Sequence, residues 1–553
     1  MSNRFDNSRV KGFLRADGIR TVNGDGEEVL LRGWGAGNWT NPEGFMLGVG
    51  TGYMGRGMAE GFRLHERMTT GRSFDRLIRD ICGDAFAESF WPRWHLNHLG
   101  EADIRAMAEW GYNSVRLPIT AWVLLPEEAE PRFSAQGFEM LDRVLDWCEK
   151  YRVYAILDMH GAPGGQSGLS CDDGLDNIPR MFMEPESRER ALMLWEELAR
   201  RYADRWIVGG YDVLNEPIAI NRWHHLMPEL ERFYDDAIAR IRKHDKNHIV
   251  FLEGVMFSTN MNIFHRQYDA ECRNWGIAIH IYNCSPEVRE LYKYIEVQRR
   301  LNVPVWIGEG RLKDPGMAVF YEIAAKHHMG FNLWVWKSVV NDEDSGATTY
   351  VLPEGFDMVL KYATEGGPRP CYAEGRRLFD AMLENLRYEN CHVNEGAHRY
   401  CQRRQGIVLP AAGYDPDGFS GGWTLGNAMA YRAEDGTRLV MKDGVNVPDG
   451  FAIGGPPPAR DPLASLLLQL DEGAFVSYTV RMVKTDCPVT LMARSIEGAT
   501  LRVREGESIA ELEIPAGASF RAYPLMTLRP ADARTIRLEA AKGSTQLESV
   551  TFA

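Results

Sequence analysis

Two carboxylates and a ring of polar side chains stand where this chain could do chemistry. Glu216 lies in "VLNEP" (213–217) and Glu309 in "IGEG" (307–310), each closing a run of apolar residues. Arg116 closes "NSVRLP", and Asp158 and His160 close "VYAILDMH". Asn215 precedes Glu216, His280 and Tyr282 share "HIY", and Trp336 and Lys337 end "FNLWVWK". A carboxylate pair facing one pocket is the minimum kit for hydrolysing a glycosidic bond: one member donates a proton to the leaving oxygen and the other stays ionised. Neighbouring charges and burial set that difference. Arg116, His160 and His280 are placed to hold Glu309 ionised, Tyr282 to hydrogen-bond it, and Trp336 to offer a flat face to a sugar ring. One strand-end Glu or one His is weak evidence, since each is more often a surface or structural residue. Six or more such endings together are hard to explain as packing.

These residues share a site only if the elements carrying them converge. Eight short apolar runs fall at 29–35, 113–118, 153–160, 211–217, 248–254, 276–282, 303–309 and 331–337. Amphipathic stretches such as "GFEMLDRVLDWCEKY" lie between most of them, with apolar residues at i, i+3 and i+4. Near-continuous apolar strands alternating with helices predict a parallel sheet buried on both faces. Eight such units predict an α/β fold, a (β/α)8 TIM barrel over residues 1–388 whose strand ends share one rim. "ADGIRTVNGDGEEVL" ahead of the first strand reads as a hairpin with a Gly-Asp-Gly turn, a plug on the barrel floor. Residues 45–100 form a long insertion after that strand. From about 405 the texture changes to short alternating segments such as "VSYTVRMV" and "TLRVRE", punctuated by Gly, Pro and Asp. An all-β sandwich over 405–553 is expected, packed on the barrel.

Composition narrows the partners. The 63 basic and 77 acidic residues leave a net charge of −14, which argues against nucleic acid or an anionic membrane as partner. No run of 18 apolar residues is present, so no membrane-spanning helix is expected. The opening "MSNRFDNSRVKGFLRADG" shows neither an apolar core nor a small-residue cleavage site, and a cytoplasmic location is the expectation. The nine cysteines are scattered, with spacing that fits neither a zinc site nor a disulfide framework. Asp172 and Asp173 sit in a loop and read as solvated or sugar-binding, and a metal-dependent hydrolase would need clustered His/Asp ligands that "HIY" lacks. No metal or cofactor is expected. "GTGYMGRG" lacks the Gly-Lys-Ser/Thr ending of a phosphate loop. The oligomeric state is left open.

At "VLNEP" with "IGEG" the sequence resembles the family 5 glycoside hydrolases, retaining barrel enzymes, over roughly residues 12–385. The resemblance implies Glu216 as acid/base, Glu309 as nucleophile, Asn215 on the sugar 2-hydroxyl, and Arg116, His160, His280, Tyr282 and Trp336 in their supporting places. "DMHGAPGGQSG" and "GNWTNPEG" resemble the family's exo-acting β-1,3-glucanase branch. The likeness implies that Glu43, four residues after Trp39, binds outer hydroxyls of a terminal sugar, and that Trp39 bounds the same side. Gln166 and Asp158 then reach inward or buttress His160, and the glycines let backbone fold tightly beside the pocket. Gly310-Arg311 and the 45–100 insertion depart from that branch. The sandwich resembles family 6 and family 35 carbohydrate-binding modules, with Trp423 and Tyr431 as candidate stacking residues; its alternatives are a structural role and a wall of the active site. The expected activity is a retaining β-glucosidase or exo-β-glucanase acting on β-linked oligosaccharides or small glycosides. The alternatives are an endo-acting β-glucanase or β-mannanase with an open cleft, and a non-catalytic glycan-binding protein.

Overall fold

The computed structural model describes residues 7–48, 68–127, 130–172, 174, 176–282, 286, 288–312, 315–340, 346–417, 437–442, 463 and 466–553. An antiparallel hairpin, β1 (Arg15–Asp17) and β2 (Arg20–Val22), precedes the barrel. Its turn falls at Gly18, with φ +59°, and not at the Gly-Asp-Gly triplet expected to make it. That triplet instead turns the chain back so that Glu28 bridges Val22. The hairpin closes the floor as expected: buried Leu14 packs against Gly209 at the start of a barrel strand.

Eight parallel strands then form a closed barrel. They are β3 (Arg32–Gly35), β4 (Ser114–Thr120), β5 (Tyr154–Gly161), β6 (Val208–Asp212), β7 (Val250–Glu253), β8 (Trp275–Ile281), β9 (Val305–Gly310) and β10 (Phe331–Leu333). Phe331 pairs with both Arg32 and Ile307, which shuts the ring. Every residue of these strands is buried, as a sheet covered on both faces requires. The fourth run ends earlier than its apolar pattern implied: β6 stops at Asp212, and Val213–Glu216 lead out of it as a loop. A register irregularity between Ile279 and His280 sets His280 level with Glu309 across β8 and β9, the kind of re-aiming a β-bulge performs.

The covering helices follow the predicted 3.6-residue pattern. Those used below are α1 (Gly71–Cys82), α2 (Asp84–His98), α3 (Glu101–Glu109), α4 (Ala135–Tyr151), α5 (Pro185–Tyr202), α6 (Met227–Arg242), α7 (Tyr292–Leu301), α8 (Pro315–Lys326), α9 (Tyr372–Asn385) and α10 (Glu395–Gln402). α4 buries Phe138, Leu141, Val144, Leu145 and Cys148, and its N-cap Ser134 Oγ accepts from the Gly137 amide at 3.0 Å. Within the insertion, α1 and α2 pack with α9 and Tyr350 into a second apolar core beside the barrel. Beyond β10, β11 (Lys337–Val339), β12 (Thr348–Tyr350) and β13 (His392–Val393) form a small sheet. Among the described residues no helix is long and apolar enough to cross a membrane.

The C-terminal region is a two-sheet sandwich. One sheet holds β14 (Ile407–Pro410), β15 (Arg438–Met441), β16 (Leu466–Leu470), β18 (Cys487–Arg494), β21 (Arg521–Leu528) and β23 (Thr545–Phe552). The other runs β17 (Phe475–Val483), β22 (Ala531–Lys542), β19 (Ala499–Glu505) and β20 (Ser508–Ile514). Burial alternates along β18 with period two, as the sequence implied, and along β23 apart from one slip at Glu548–Ser549. Apolar packing is continuous from barrel to sandwich. At the junction Glu322 of α8 accepts from Arg481 of β17 at 2.9 and 2.7 Å and also pairs with Arg32, the first residue of β3. Arg404 stacks over Trp110, just after α3. These contacts lie at the starts of the barrel strands, opposite the rim that Glu216 and Glu309 occupy, so the described part of the sandwich does not wall the site. Trp423 and Tyr431 lie outside the described residues.

Burial would raise the Glu322 carboxyl, but the charges of Arg481 and Arg32 outweigh it and hold the group well below the ordinary carboxylate range. Its stabilisation is therefore present at neutral pH and is lost as pH falls through that depressed value. Removing the anion takes away the carboxylate that both guanidinium groups bind. Glu322→Gln is expected to cost about 3–5 kcal/mol, read as a lowered midpoint in chemical unfolding.

Candidate active site

Arg116, at the middle of β4, is fully buried and binds the ends of its neighbours. Its Nε donates to Asp212 at 2.9 Å, Nη1 to Glu309 at 2.6 Å, and Nη2 to Asn215 at 2.8 Å and Glu253 at 3.1 Å. Asp158 lies 3.2 Å from Nη2. One guanidinium thus faces carboxylates from β5, β6, β7 and β9. Burial would lower its proton affinity, but Asp158, Asp212, Glu309 and Glu253 raise it well above the ordinary value. Burial and the Glu253 charge push Asp212 well above the ordinary carboxylate range, against the pull of Arg116.

Glu309 accepts from Arg116 on one oxygen and from the Tyr282 hydroxyl at 2.7 Å on the other. Burial would raise it, yet the charges of His280, Arg116 and His160, with the Tyr282 bond, hold it below its ordinary value. Glu216 stands apart in state: burial, with the charges of Glu309 and Glu253, holds it above the ordinary value although His280 pulls the other way. His280 Nδ1 lies 2.7 Å from Glu216 and 3.4 Å from Glu309. One oxygen of each carboxylate and a His280 ring nitrogen all lie within 4.8 Å of one another. A carboxyl held above its ordinary value and one held below it thus face one point.

Second contacts set the positions. Glu216 has φ +42°, a left-handed backbone that non-glycine residues rarely adopt, and its amide donates to Glu253 at 2.8 Å. Gln166 Nε2 donates to the backbone oxygens of His160 (2.8 Å) and Asn215 (2.9 Å), stapling the β5 and β6 ends together. Asp158 faces Arg116 with Oδ1 at 3.2 Å, and its Oδ2 is 2.8 Å from His160 Nδ1. Of the two roles expected for Gln166 and Asp158, both are buttresses. Asp172 is buried, not solvated: it accepts the Gln166 and Ser167 amides at 2.7 and 2.6 Å and the Ser167 hydroxyl at 2.8 Å. Gly165, at φ +75°, leaves room for that carboxylate, which a Cβ would meet at 3.0 Å. Asp173 lies outside the described residues.

Two tryptophans are placed differently from the expectation. Trp336 is wholly buried behind the barrel; its indole N–H donates to Asp103 of α3 at 2.8 Å and its ring packs on Trp34, Tyr388 and His398. It presents no face to the site. Regular alternation ends with β10 at Leu333, so counting along the apolar run misassigned the inward residue. Trp334 takes that place, partly exposed and stacked parallel on His160 at 5.0 Å and 1°. Its indole crosses Gly35 and Gly37, where a Cβ would come within 2.6 and 2.4 Å of the Trp334-Val335 segment. Trp39 is likewise fully buried, donating to the His95 carbonyl at 3.1 Å, and bounds no pocket surface. Glu43 is brought to the site: burial and the charges of Glu309 and Glu216 raise it well above the ordinary range. Its amide donates to Asn38, while its carboxyl makes no hydrogen bond to a described residue. Sequence reasoning missed Asp212, Glu253 and Trp334, although "HIVFLEG" ends in an acid as the other runs do.

Fold and site together define a (β/α)8 barrel with a paired-carboxylate centre at its C-terminal rim. Residues 83–339 match the family described as "Cellulase (glycosyl hydrolase family 5)"; the match stops before the sandwich. Among similar proteins is the "Beta-xylosidase" of Phanerodontia chrysosporium, 34% identical over 293 residues, 52% of this chain and 56% of that protein. The "Probable glucan 1,3-beta-glucosidase A" of Emericella nidulans is 35% identical over 149 residues, 26% of this chain and 35% of its own length. "Endoglucanase C" of Acetivibrio thermocellus is 30% identical over 158 residues, covering 28% and 42%. The chain thus spans just over half the length of the first relative and less of the others. A solved endogalactoceramidase aligns over 97% of this chain and 100% of its own at 14% identity, with a TM-score of 0.45.

The two tryptophans should part on mutation. Trp336→Ala removes a fully buried, hydrogen-bonded ring and is expected to cost about 3–5 kcal/mol. Trp334→Ala is expected to cost clearly less. Paired unfolding curves check this ordering.

Proposed function

We propose that this chain is a retaining glycoside hydrolase acting on β-glucosidic bonds by double displacement, in exo fashion. The observation that carries it is the spacing of the carboxyl pair: oxygens of Glu216 and Glu309 within 4.8 Å of each other. Retaining enzymes hold their carboxyl groups roughly 5–5.5 Å apart, whereas inverting ones leave about 6.5–9.5 Å for a water. Glu309 attacks the anomeric carbon while Glu216 gives its proton to the leaving oxygen. The glycosyl–Glu309 ester is then hydrolysed by a water whose proton Glu216 takes. Asn215, held by Arg116, is placed for the 2-hydroxyl, and Trp334 on its His160 backing is the ring platform. Glu43, beside both carboxylates and without a side-chain hydrogen bond among the described residues, closes one end and receives outer hydroxyls of a terminal sugar. A closed end favours exo action. The relatives named as glucan 1,3-beta-glucosidases support this reading. The relative named beta-xylosidase favours a second one, in which the terminal sugar is a pentose.

Glu309→Gln should lower turnover by at least roughly a thousandfold, the scale of losing a covalent nucleophile. Activity of the wild type needs Glu309 ionised and Glu216 protonated. The acid limb should therefore lie below the ordinary glutamate value and the alkaline limb above it, in a bell-shaped kcat/KM profile; a near-normal rate for Glu309→Gln would remove Glu309 from the mechanism.

Product analysis tests the mode of action. End-labelled β-1,3- and β-1,4-gluco-oligosaccharides, run beside aryl β-glucosides and β-xylosides, should yield single sugars one at a time. Glu43→Ala should lower kcat/KM on the same substrates. Internal fragments, or an unchanged kcat/KM in Glu43→Ala, would replace the closed pocket with an open cleft.

A further inference from the structure

Glu253, at the end of β7, has no part in the reaction as written, yet it touches the support of both catalytic carboxylates. It is fully buried. Oε2 accepts the Glu216 amide at 2.8 Å, and Oε1 lies 3.1 Å from Arg116 Nη2 and 3.2 Å from His280 Nε2. The opposite ring nitrogen of His280 is the one 2.7 Å from Glu216. The order Glu253–His280–Glu216 is therefore a line of charge, ion pair and hydrogen bond, closed on itself through the Glu216 backbone.

We propose that Glu253 is a positioning residue for the acid/base step: it holds the left-handed backbone of Glu216 and, through His280, fixes how one proton is shared between His280 and Glu216. This rests on the reading of Glu216 as acid/base. With the Glu253 carboxylate beside Nε2, His280 keeps a proton on that nitrogen. Its Nδ1 then shares a second proton with Glu216, lying on the carboxyl or on the ring. When the bond to the leaving group breaks, that proton goes to the departing oxygen, leaving Glu216 ionised and His280 neutral with Nε2–H toward Glu253. When water attacks the glycosyl–enzyme, one proton returns to the pair, so the count closes over a cycle.

The groups facing this line come from every surrounding element. They are Arg116 from β4, Asp158 and His160 from β5, Asp212 from β6, Tyr282 following β8, Glu309 from β9 and Glu43 from the loop after β3. Tyr234 of α6 also faces it, its hydroxyl donating to the Glu253 carbonyl at 2.7 Å. Anions outnumber cations here. Burial would lower His280, but Glu253, Glu309 and Glu216 raise it well above the ordinary histidine value.

The test reads His280 directly, by histidine ring nitrogen NMR of the full chain, with its signal assigned by loss in His280→Asn. In the wild type the ring should stay protonated above the ordinary histidine range. In Glu253→Gln, which is close in shape but uncharged, the midpoint should fall by about one unit or more. The alkaline limb of kcat/KM should move down with it. The loss in rate should be larger on alkyl β-glucosides, which need the acid, than on dinitrophenyl β-glucoside, which needs it little. Glu253→Asp keeps the charge, so its alkaline limb should stay near that of the wild type while kcat falls. A wild-type ring that titrates at or below the ordinary value, or a midpoint unmoved in Glu253→Gln, overturns the proposal even if neither variant is active. A shifted midpoint in a protein that cleaves no β-glycoside would uphold the line of charge and sink the proposed function instead.

Discussion

The site depends on one buried cation. The Arg116 guanidinium is always charged, and a charge removed from water must be paired at close range or expelled. Four strands answer it with carboxylates, and its fork of donors fixes where each one stands. Four anions on one cation are too many, however. The surplus shows as raised proton affinity: burial and the neighbouring carboxylates push Asp212 and Glu216 up, and the same carboxylates push His280 up. Glu309 escapes because it takes the shortest Arg116 contact and the Tyr282 hydroxyl as well. The difference between two chemically identical side chains is thus produced by how the charges of His280, Arg116 and His160 and the Tyr282 bond fall on Glu309 while burial dominates at Glu216.

Much of this was legible because a barrel turns sequence periodicity into place. Eight apolar runs gave eight parallel strands, and a parallel barrel puts all their ends on one rim, so polar residues far apart in sequence had to meet. Arg116, Asp158, His160, Asn215, Glu216, His280, Tyr282 and Glu309 are all brought together there. What was not legible sits where periodicity stops. Past Leu333 the chain is no longer a strand, and side-chain direction cannot be counted, so Trp336 and Trp334 were exchanged. Trp39 follows β3 in the same way: its type fits a sugar platform, but only packing could tell that its face is covered. The Gly-Asp-Gly triplet does turn the chain back, pairing Val22 with Glu28, but a second turn at Gly18 makes the β1–β2 hairpin that the sequence did not separate from it.

The sandwich illustrates a different limit. Its strand pattern was plain, but the contact that joins it to the barrel was not, because Arg32, Glu322 and Arg481 are spread over the whole chain and none has an unusual neighbour in sequence. Two arginines on one carboxylate form a rigid joint that is expensive to break, since either loss leaves a buried charge. Together with the continuous apolar packing, it makes the floor of the barrel and one face of the sandwich a single body. The rim is left free of that joint.

That division matters for the chemistry. The rim carries the costs: a non-glycine residue held left-handed at Glu216, surplus carboxylates in low dielectric, and a loop at 161–172 whose backbone is braced by a buried Asp172. Such features persist only where the surrounding structure over-determines them. Here Glu253 fixes Glu216 from one side, and Gln166 fixes Asn215 from the other. Stability is drawn from the floor, where strand starts, hairpin and sandwich meet, while the opposite end stores the electrostatic imbalance that sets Glu216 and Glu309 apart.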